Sequence, residues 1–203
     1  MRKADPDLRE KRRLQIIEAA TACFVANGFH QTSMQQIAAE TGLSMGLLYR
    51  YFASKEEIID AAARIDRDAL IAAVDAMPSQ GRVIDGWVEL VIKTVLELIE
   101  PSMARLVNEV LAEAGRNGRL LAELREHDRL LVAAIARTLH RQQRAAAIST
   151  QADVDACAVN LMVLIDGWVA RHLMQPDISA ARMERLIRSA VLVVFGMMPV
   201  ANP

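Results

Sequence analysis

The chain has 203 residues, a formal net charge of −1, 53% hydrophobic and 4% aromatic residues, nine Gly and six Pro. That length can bury a sizeable core, and a composition dominated by Ala, Leu, Ile, Val and Met favours an all-helical protein over a β sandwich. The charge balance excludes a globally basic nucleic-acid binder, so any DNA contact must rest on a local patch.

The N-terminus offers such a patch. Arg2, Lys3, Arg9, Lys11, Arg12 and Arg13 outnumber Asp5, Asp7 and Glu10. A basic arm of this kind can follow phosphates or enter a minor groove, although the same charges also suit a solvated tail. A first helix is expected over about residues 8–26, with Leu14, Ile17, Thr21 and Phe24 on one stripe and Asn27-Gly28 as its stop. Ser33 and Gln36 then form a capping box for a short second helix carrying Ile37, Ala38 and Ala39. Gly42 can take the left-handed conformation that ends it, and Leu43 plugs the corner. Ser44 caps a third short helix running through Tyr49. Two short helices joined by so tight a turn form a helix-turn-helix, which commonly sends its second helix into a DNA major groove.

Ser54 and Glu57 supply a second capping box, opening a fourth helix through Ile58, Ala62, Ile65, Ala69 and Val74 to Met77. Pro78-Ser79-Gln80-Gly81 breaks the chain. Five more helices are expected over about residues 82–99, 102–114, 120–146, 150–174 and 179–198, the eighth starting at a Thr150–Asp153 capping box. The eighth and ninth are apolar over most of their circumference. Such helices are either central or buried in a partner, and a two-fold bundle of the pair would make a homodimer.

The segment 32–57, closed by Leu48-Tyr49-Arg50-Tyr51-Phe52 and Ser54-Lys55-Glu56, resembles the TetR family of bacterial transcriptional regulators. The motif match spans residues 14–60; the remainder agrees in size and helical pattern. The resemblance implies an all-α fold of about nine helices, with an N-terminal helix-turn-helix DNA-binding domain at 1–55 and a C-terminal ligand-binding and dimerisation domain at 56–203. It also implies a homodimer on a palindromic operator, most often a repressor released by a small, largely apolar inducer that shifts helices six and four. Two positions depart from the family pattern: relatives often carry a polar or basic residue and a Thr where this chain has Met45 and Leu47. Either could touch a thymine methyl, or one of them could simply pack.

Laid beside the motif, the expected DNA-binding residues are Thr32, Ser33, Ser44, Met45, Gly46, Tyr49, Arg50, Tyr51 and Lys55. Thr32 and Ser33 suit a phosphate at a helix N-terminus. Ser44, Met45 and Gly46 open the recognition helix. Tyr49 and Tyr51 can donate hydroxyls to phosphates, Arg50 can pair with phosphate or guanine, and Lys55 can neutralise a phosphate. Leu48 and Phe52 read as core.

An effector site needs apolar walls and a few orienting polar groups. Polar residues interrupt the apolar runs at Asn108, Glu109 and Glu113 and again at Asn160, Asp166 and His172. Trp87, Met103, Asn108 and Asn160 are the expected ligand-binding residues, while Trp168 suits a dimer seam equally well and His127 suits a wet face. No catalytic, metal or cofactor site is expected. Cys23 and Cys157 lack metal-ligand spacing, the histidines show none, and no phosphate loop or nucleophile motif occurs. Without a secretory apolar core or a span approaching ~20 residues, the expected location is the cytoplasm. The competing reading is a helical carrier or protein-interaction module whose helix-turn-helix is only scaffold.

Overall fold

The structure is a computed structural model that describes residues 6–149 and 151–197. Among the described residues it contains α1 (Pro6–Asn27), α2 (Met34–Thr41), α3 (Met45–Tyr49), α4 (Lys55–Asp75), α5 (Val83–Leu98), α6 (Pro101–Ala114), α7 (Gly118–Arg144), α8 (Val154–Met174) and α9 (Ala180–Val194). No strand occurs among them, and none of these helices is long and apolar enough to cross a membrane. Two compact units result. One takes the chain up to Asp68 together with Arg105–His127; the other takes Ala69–Ala104 and the chain from Asp128 onward. Residues of α4, α6 and α7 therefore serve both.

In the first unit α1 packs on α2, and α2 on α3. The core combines Ile16, Ile17, Ala20, Cys23 and Phe24 of α1 with Phe29, Ile37, Leu48, Phe52, Ile58 and Ala62. Two sequence-derived stripes need correction. Leu14 on α1 and Ile65 on α4 are 45% and 42% exposed, and Ala69 is exposed too. Spacing fixes the helical period but not the edges of the buried arc, so Leu14, Ile65 and Ala69 fall outside it while Ile17, Phe24, Ile58, Ala62 and Val74 lie within it. Leu43 is half-buried at the corner.

Local caps explain most boundaries. Ser33 accepts from the Gln36 amide at 3.2 Å while Gln36 Oε1 accepts from the Ser33 amide at 2.7 Å. Gly42 sits at φ 66°, where its N–H reaches the carbonyl of Ala39. At α4 Ser54 accepts from the Glu57 amide, but the Glu57 carboxylate accepts from Ala53 N–H, one residue before the position a capping box uses. Asn117 accepts from the Leu120 amide, and α7 begins two residues before the expected start at 120. The expected Thr150–Asp153 box is replaced: Asp153 is itself the cap of α8, accepting from the Ala156 amide at 3.0 Å. Thr150 lies outside the described residues, as does Met198 at the expected end of α9, which stops at Val194.

The second unit packs α5 against α8 and α9. Trp87, Val88, Val91 and Val95 of α5 meet Leu161, Ile165, Met183, Ile187 and Val191 in one apolar core. The turn after α4 is stapled by α7. Arg141 donates to Ser79 Oγ and to the carbonyls of Asp75 and Met77, and buried Gln142 donates to Pro78 O while accepting from Trp87 Nε1 at 2.9 Å. Both cysteines are buried, and burial pushes their thiols up from the usual range.

His127 is buried rather than on a wet face. Its Nε2 lies 3.2 Å from Asp60 Oδ1, and its buried Nδ1 has no hydrogen-bond partner among the described residues. Protonation would place an unpaired N–H there. Desolvation accordingly lowers its pKa; Asp60 and Glu123 oppose that shift, and Arg67 and Arg64 add to it. A base with a lowered folded pKa binds fewer protons than the unfolded chain just below the ordinary value of 6.5, so stability rises with pH through that window. Denaturant midpoints measured at about pH 5.5 and about pH 7.5 are expected to be lower at the acidic value, and His127→Gln is expected to shrink the difference.

Candidate nucleic-acid interface

The reading surface is built on a short helix held from one side. Ser44 starts α3 by accepting from the Leu47 amide at 3.3 Å. Leu48 is fully buried and anchors the helix, and Phe52 closes the core one turn later. The outward face carries Ser44, Met45, Gly46, Tyr49 and Arg50, all exposed; Met45 is 36% and Tyr49 51% exposed. Nothing lies within 4 Å of the place a Cβ on Gly46 would occupy. Leu47 is half-buried. The two unusual apolar positions thus divide: Met45 faces outward, whereas Leu47 is partly packed. Ser33 is exposed at the start of α2.

Other sequence-derived residues have different work. Thr32 is 1% exposed, and its hydroxyl donates to Gly28 O at 2.8 Å or Cys23 O at 3.2 Å. A hydroxyl so placed cannot meet a phosphate; Thr32 ties the loop before α2 to the end of α1. Lys55 is half-buried, and its Nζ reaches the carbonyls of Phe29, His30 and Thr32 at 2.6, 3.2 and 3.1 Å while lying 4.6 Å from the Phe29 ring centroid. Its charge binds the loop rather than standing free for DNA. Tyr51 is half-buried.

The basic arm is also changed. Arg9, Lys11 and Arg12 are exposed on the first turns of α1, so they form a helical cationic face rather than a loose tail. Arg2 and Lys3 lie outside the described residues. Arg13 stacks over Phe52 at 4.3 Å and approaches Tyr51 O at 3.5 Å, bracing α1 against the end of the recognition segment. Sequence reading missed that role, as it missed Glu109, which accepts from the Phe29 amide at 2.6 Å across 80 residues. Partners so remote leave no periodic signal.

The expected ligand residues fall in both units. Trp87 is buried and Met103 half-buried in the second unit, and Asn108 is half-buried in the first. Asn160 is exposed between Val159 and Val163, on the outward face of α8, and so does not line the interior of its own unit. Among the described residues no cluster of His, Cys, Asp and Glu is arranged to hold a metal ion.

A capped helix-turn-helix with an exposed second helix, joined to a separate helical unit, defines a DNA-binding regulator. The description "Bacterial regulatory proteins, tetR family" matches residues 16–62, and "BetI-type transcriptional repressor, C-terminal" matches residues 86–195. The chain belongs to the TetR family of transcriptional regulators and is a DNA-binding, ligand-responsive regulator. It is 29% identical over 153 residues to the HTH-type transcriptional regulator UidR of Escherichia coli (strain K12), covering 75% of this chain and 76% of UidR. It is 25% identical over 174 residues to the HTH-type transcriptional regulator TtgR of Pseudomonas putida, covering 83% of each. Among solved structures, Salmonella enterica GusR superposes with a TM-score of 0.77 at 26% identity, over 96% of this chain and 99% of that one. The fatty acid degradation regulator FadR from Bacillus halodurans has the same fold, with a TM-score of 0.74 at 18% identity over the whole of both chains.

The buried placement of Thr32 has a measurable consequence. Thr32→Val removes the hydroxyl that donates to Gly28 O or Cys23 O inside the fold and is expected to lower unfolding free energy by about 1–3 kcal/mol. The salt dependence of DNA binding is expected to stay unchanged, because no phosphate contact is lost. Denaturant titration and fluorescence anisotropy at several salt concentrations check the two halves.

Proposed function

We propose that the protein is a cytoplasmic homodimeric repressor whose two reading heads enter successive major grooves of a palindromic operator and leave it when a small, largely apolar effector binds. The observation that carries this reading is the outward face of α3. Ser44, Met45, Gly46, Tyr49 and Arg50 are presented together while Leu48 is buried in the core and Leu47 is half-buried. In this reading Ser33 and Tyr49 meet phosphates, and Arg50 pairs with phosphate or guanine. Ser44 and Met45 approach base edges, Met45 through the thymine methyl; with so few donors on α3, DNA shape carries part of the preference.

The division of labour keeps residues 1–55 as the reading head and 56–203 as the effector and dimerisation part. An apolar effector suits the second unit because Trp87, Val88, Val91 and Ile165 dominate its interior. The proposed dimer seam is the outer side of α8 and α9. Val159, Val163 and Met174 on α8 and Leu186 and Val193 on α9 are 50%, 58%, 75%, 43% and 56% exposed, although both helices already bury an inner apolar stripe. So much outward apolar surface on adjacent helices is what a partner subunit covers.

DNA from upstream of the protein's own gene provides the test. The wild type is expected to shift it specifically. Arg50→Ala is expected to weaken that binding by about ten- to a hundredfold and to reduce the salt slope by about one if the contact is to phosphate. Weak binding that ignores sequence and is unchanged by Arg50→Ala overturns the reading in favour of a carrier or adaptor module. Val163→Asp places a charge in the seam and is expected to yield monomers in sedimentation velocity, with operator binding lost in parallel.

A further inference from the structure

Of the cations on the opening turns of α1, Arg9, Lys11 and Arg12 are exposed, whereas Arg13 is half-buried. The helix explains the difference. Ile16 and Ile17, three and four residues on, are 0% and 6% exposed, so Arg13 stands at the edge of the same buried arc. An arginine so placed can lay its stem along apolar surface and carry its charge further. Here the guanidinium carbon lies 4.3 Å from the Phe52 ring centroid, and Nη1 reaches Tyr51 O at 3.5 Å. A hydrogen bond that long is weak, so the stack on the ring supplies most of the hold.

This contact falls where α3 has least support of its own. Ser44 caps the start of α3, and Leu48 is 0% exposed near its end. Past Tyr49 the chain turns tightly, with the amides of Tyr51 and Phe52 both reaching Leu48 O, at 2.9 and 3.1 Å. Ala53 N–H then donates to the Glu57 carboxylate at 2.7 Å. The exposed pair Tyr49 and Arg50 therefore lies between the Leu48 anchor and the segment that Arg13 holds. We propose that Arg13 is a positioning residue for DNA reading: stacked on Phe52, it fixes the C-terminal end of α3 and with it the directions in which Tyr49 and Arg50 leave the helix. The inference rests on the regulator reading. A five-residue helix hung from one buried side chain can pivot about it, and a second attachment one turn later removes that freedom. Arg13 thus differs in work from Arg9, Lys11 and Arg12, whose charges face water.

Full-length protein and two duplexes test the proposal: one selected from random DNA by the wild type, and one of scrambled sequence, each titrated at several salt concentrations. Arg13→Met keeps an unbranched apolar stem but removes the cation and the donor. Amide exchange at Tyr51 and Phe52 is expected to become about tenfold faster, and affinity for the selected duplex to fall about tenfold. Affinity for the scrambled duplex and its salt slope are expected to stay unchanged, because no phosphate contact leaves with the side chain. Arg13→Lys keeps a cation but loses the flat face, so it is expected to fall between the two, and it carries the comparison if Arg13→Met does not fold. The losses from Arg13→Met and Arg50→Ala on the selected duplex are expected to be less than additive, because the first acts through the second. Unchanged exchange with unchanged selectivity overturns the proposal. Additive losses, or a salt slope lowered by about one on both duplexes, overturn it by making Arg13 a phosphate ligand in its own right. An equal loss on both duplexes that tracks a lower melting temperature overturns it by showing a purely structural role. A wild type that selects no duplex overturns the regulator reading, and this role with it.

Discussion

The first unit depends on how five residues of loop are satisfied. Between the end of α1 and the cap of α2 the chain turns through Gly28, Phe29, His30, Gln31 and Thr32, and several of its polar groups lie away from water. Buried amides and carbonyls need partners. Here the partners are side chains: Thr32 bonds carbonyls at the end of α1, and Lys55 bonds the carbonyls of the loop itself. Phe29 meanwhile fills the core against Phe24, with ring centroids 5.3 Å apart. The loop is thus the point at which α1, α2 and α4 are registered to one another. Residues that look like phosphate ligands from their place in the motif are needed there to keep that register.

That requirement leaves a lean reading surface. Once Thr32 and Lys55 are committed to the loop, the polar groups facing outward are chiefly Ser33, Ser44, Tyr49 and Arg50, with the exposed thioether of Met45 among them. Charge arrives separately, from Arg9, Lys11 and Arg12 on the opening turns of α1. These cations therefore stand on a different helix from the outward face of α3.

Much of this was legible in the sequence because it is local. The capping box at Ser33 and Gln36, the left-handed stop at Gly42 and the cap at Ser44 each involve residues a few positions apart, and each formed as expected. The break at 78–81 was legible for the same reason. The edge of each buried arc was not: Leu14 and Ile65 satisfied the helical period but fell outside it. Nor was the fate of individual polar groups. The burial of His127 against Asp60, the bond from Trp87 to Gln142 and the grip of Glu109 on Phe29 join residues far apart in sequence, and no pattern along one chain marks them. The reading motif could be found from spacing; its long-range partners could not.

The five residues of α3 make fewer than two turns. A helix that short has no stability of its own, since the cost of nucleation exceeds what its few bonds return. It persists because Ser44 starts it and Leu48 is inserted into the core, and Leu48 is its one fully buried residue. Its outward positions consequently contribute little to folding. Positions 45, 46, 49 and 50 are all exposed, and a Cβ on Gly46 would meet nothing within 4 Å. Selection can exchange the protein's vocabulary of recognised sites while its architecture stays fixed, so descendants of this chain can acquire new target sequences through a handful of nearly neutral steps.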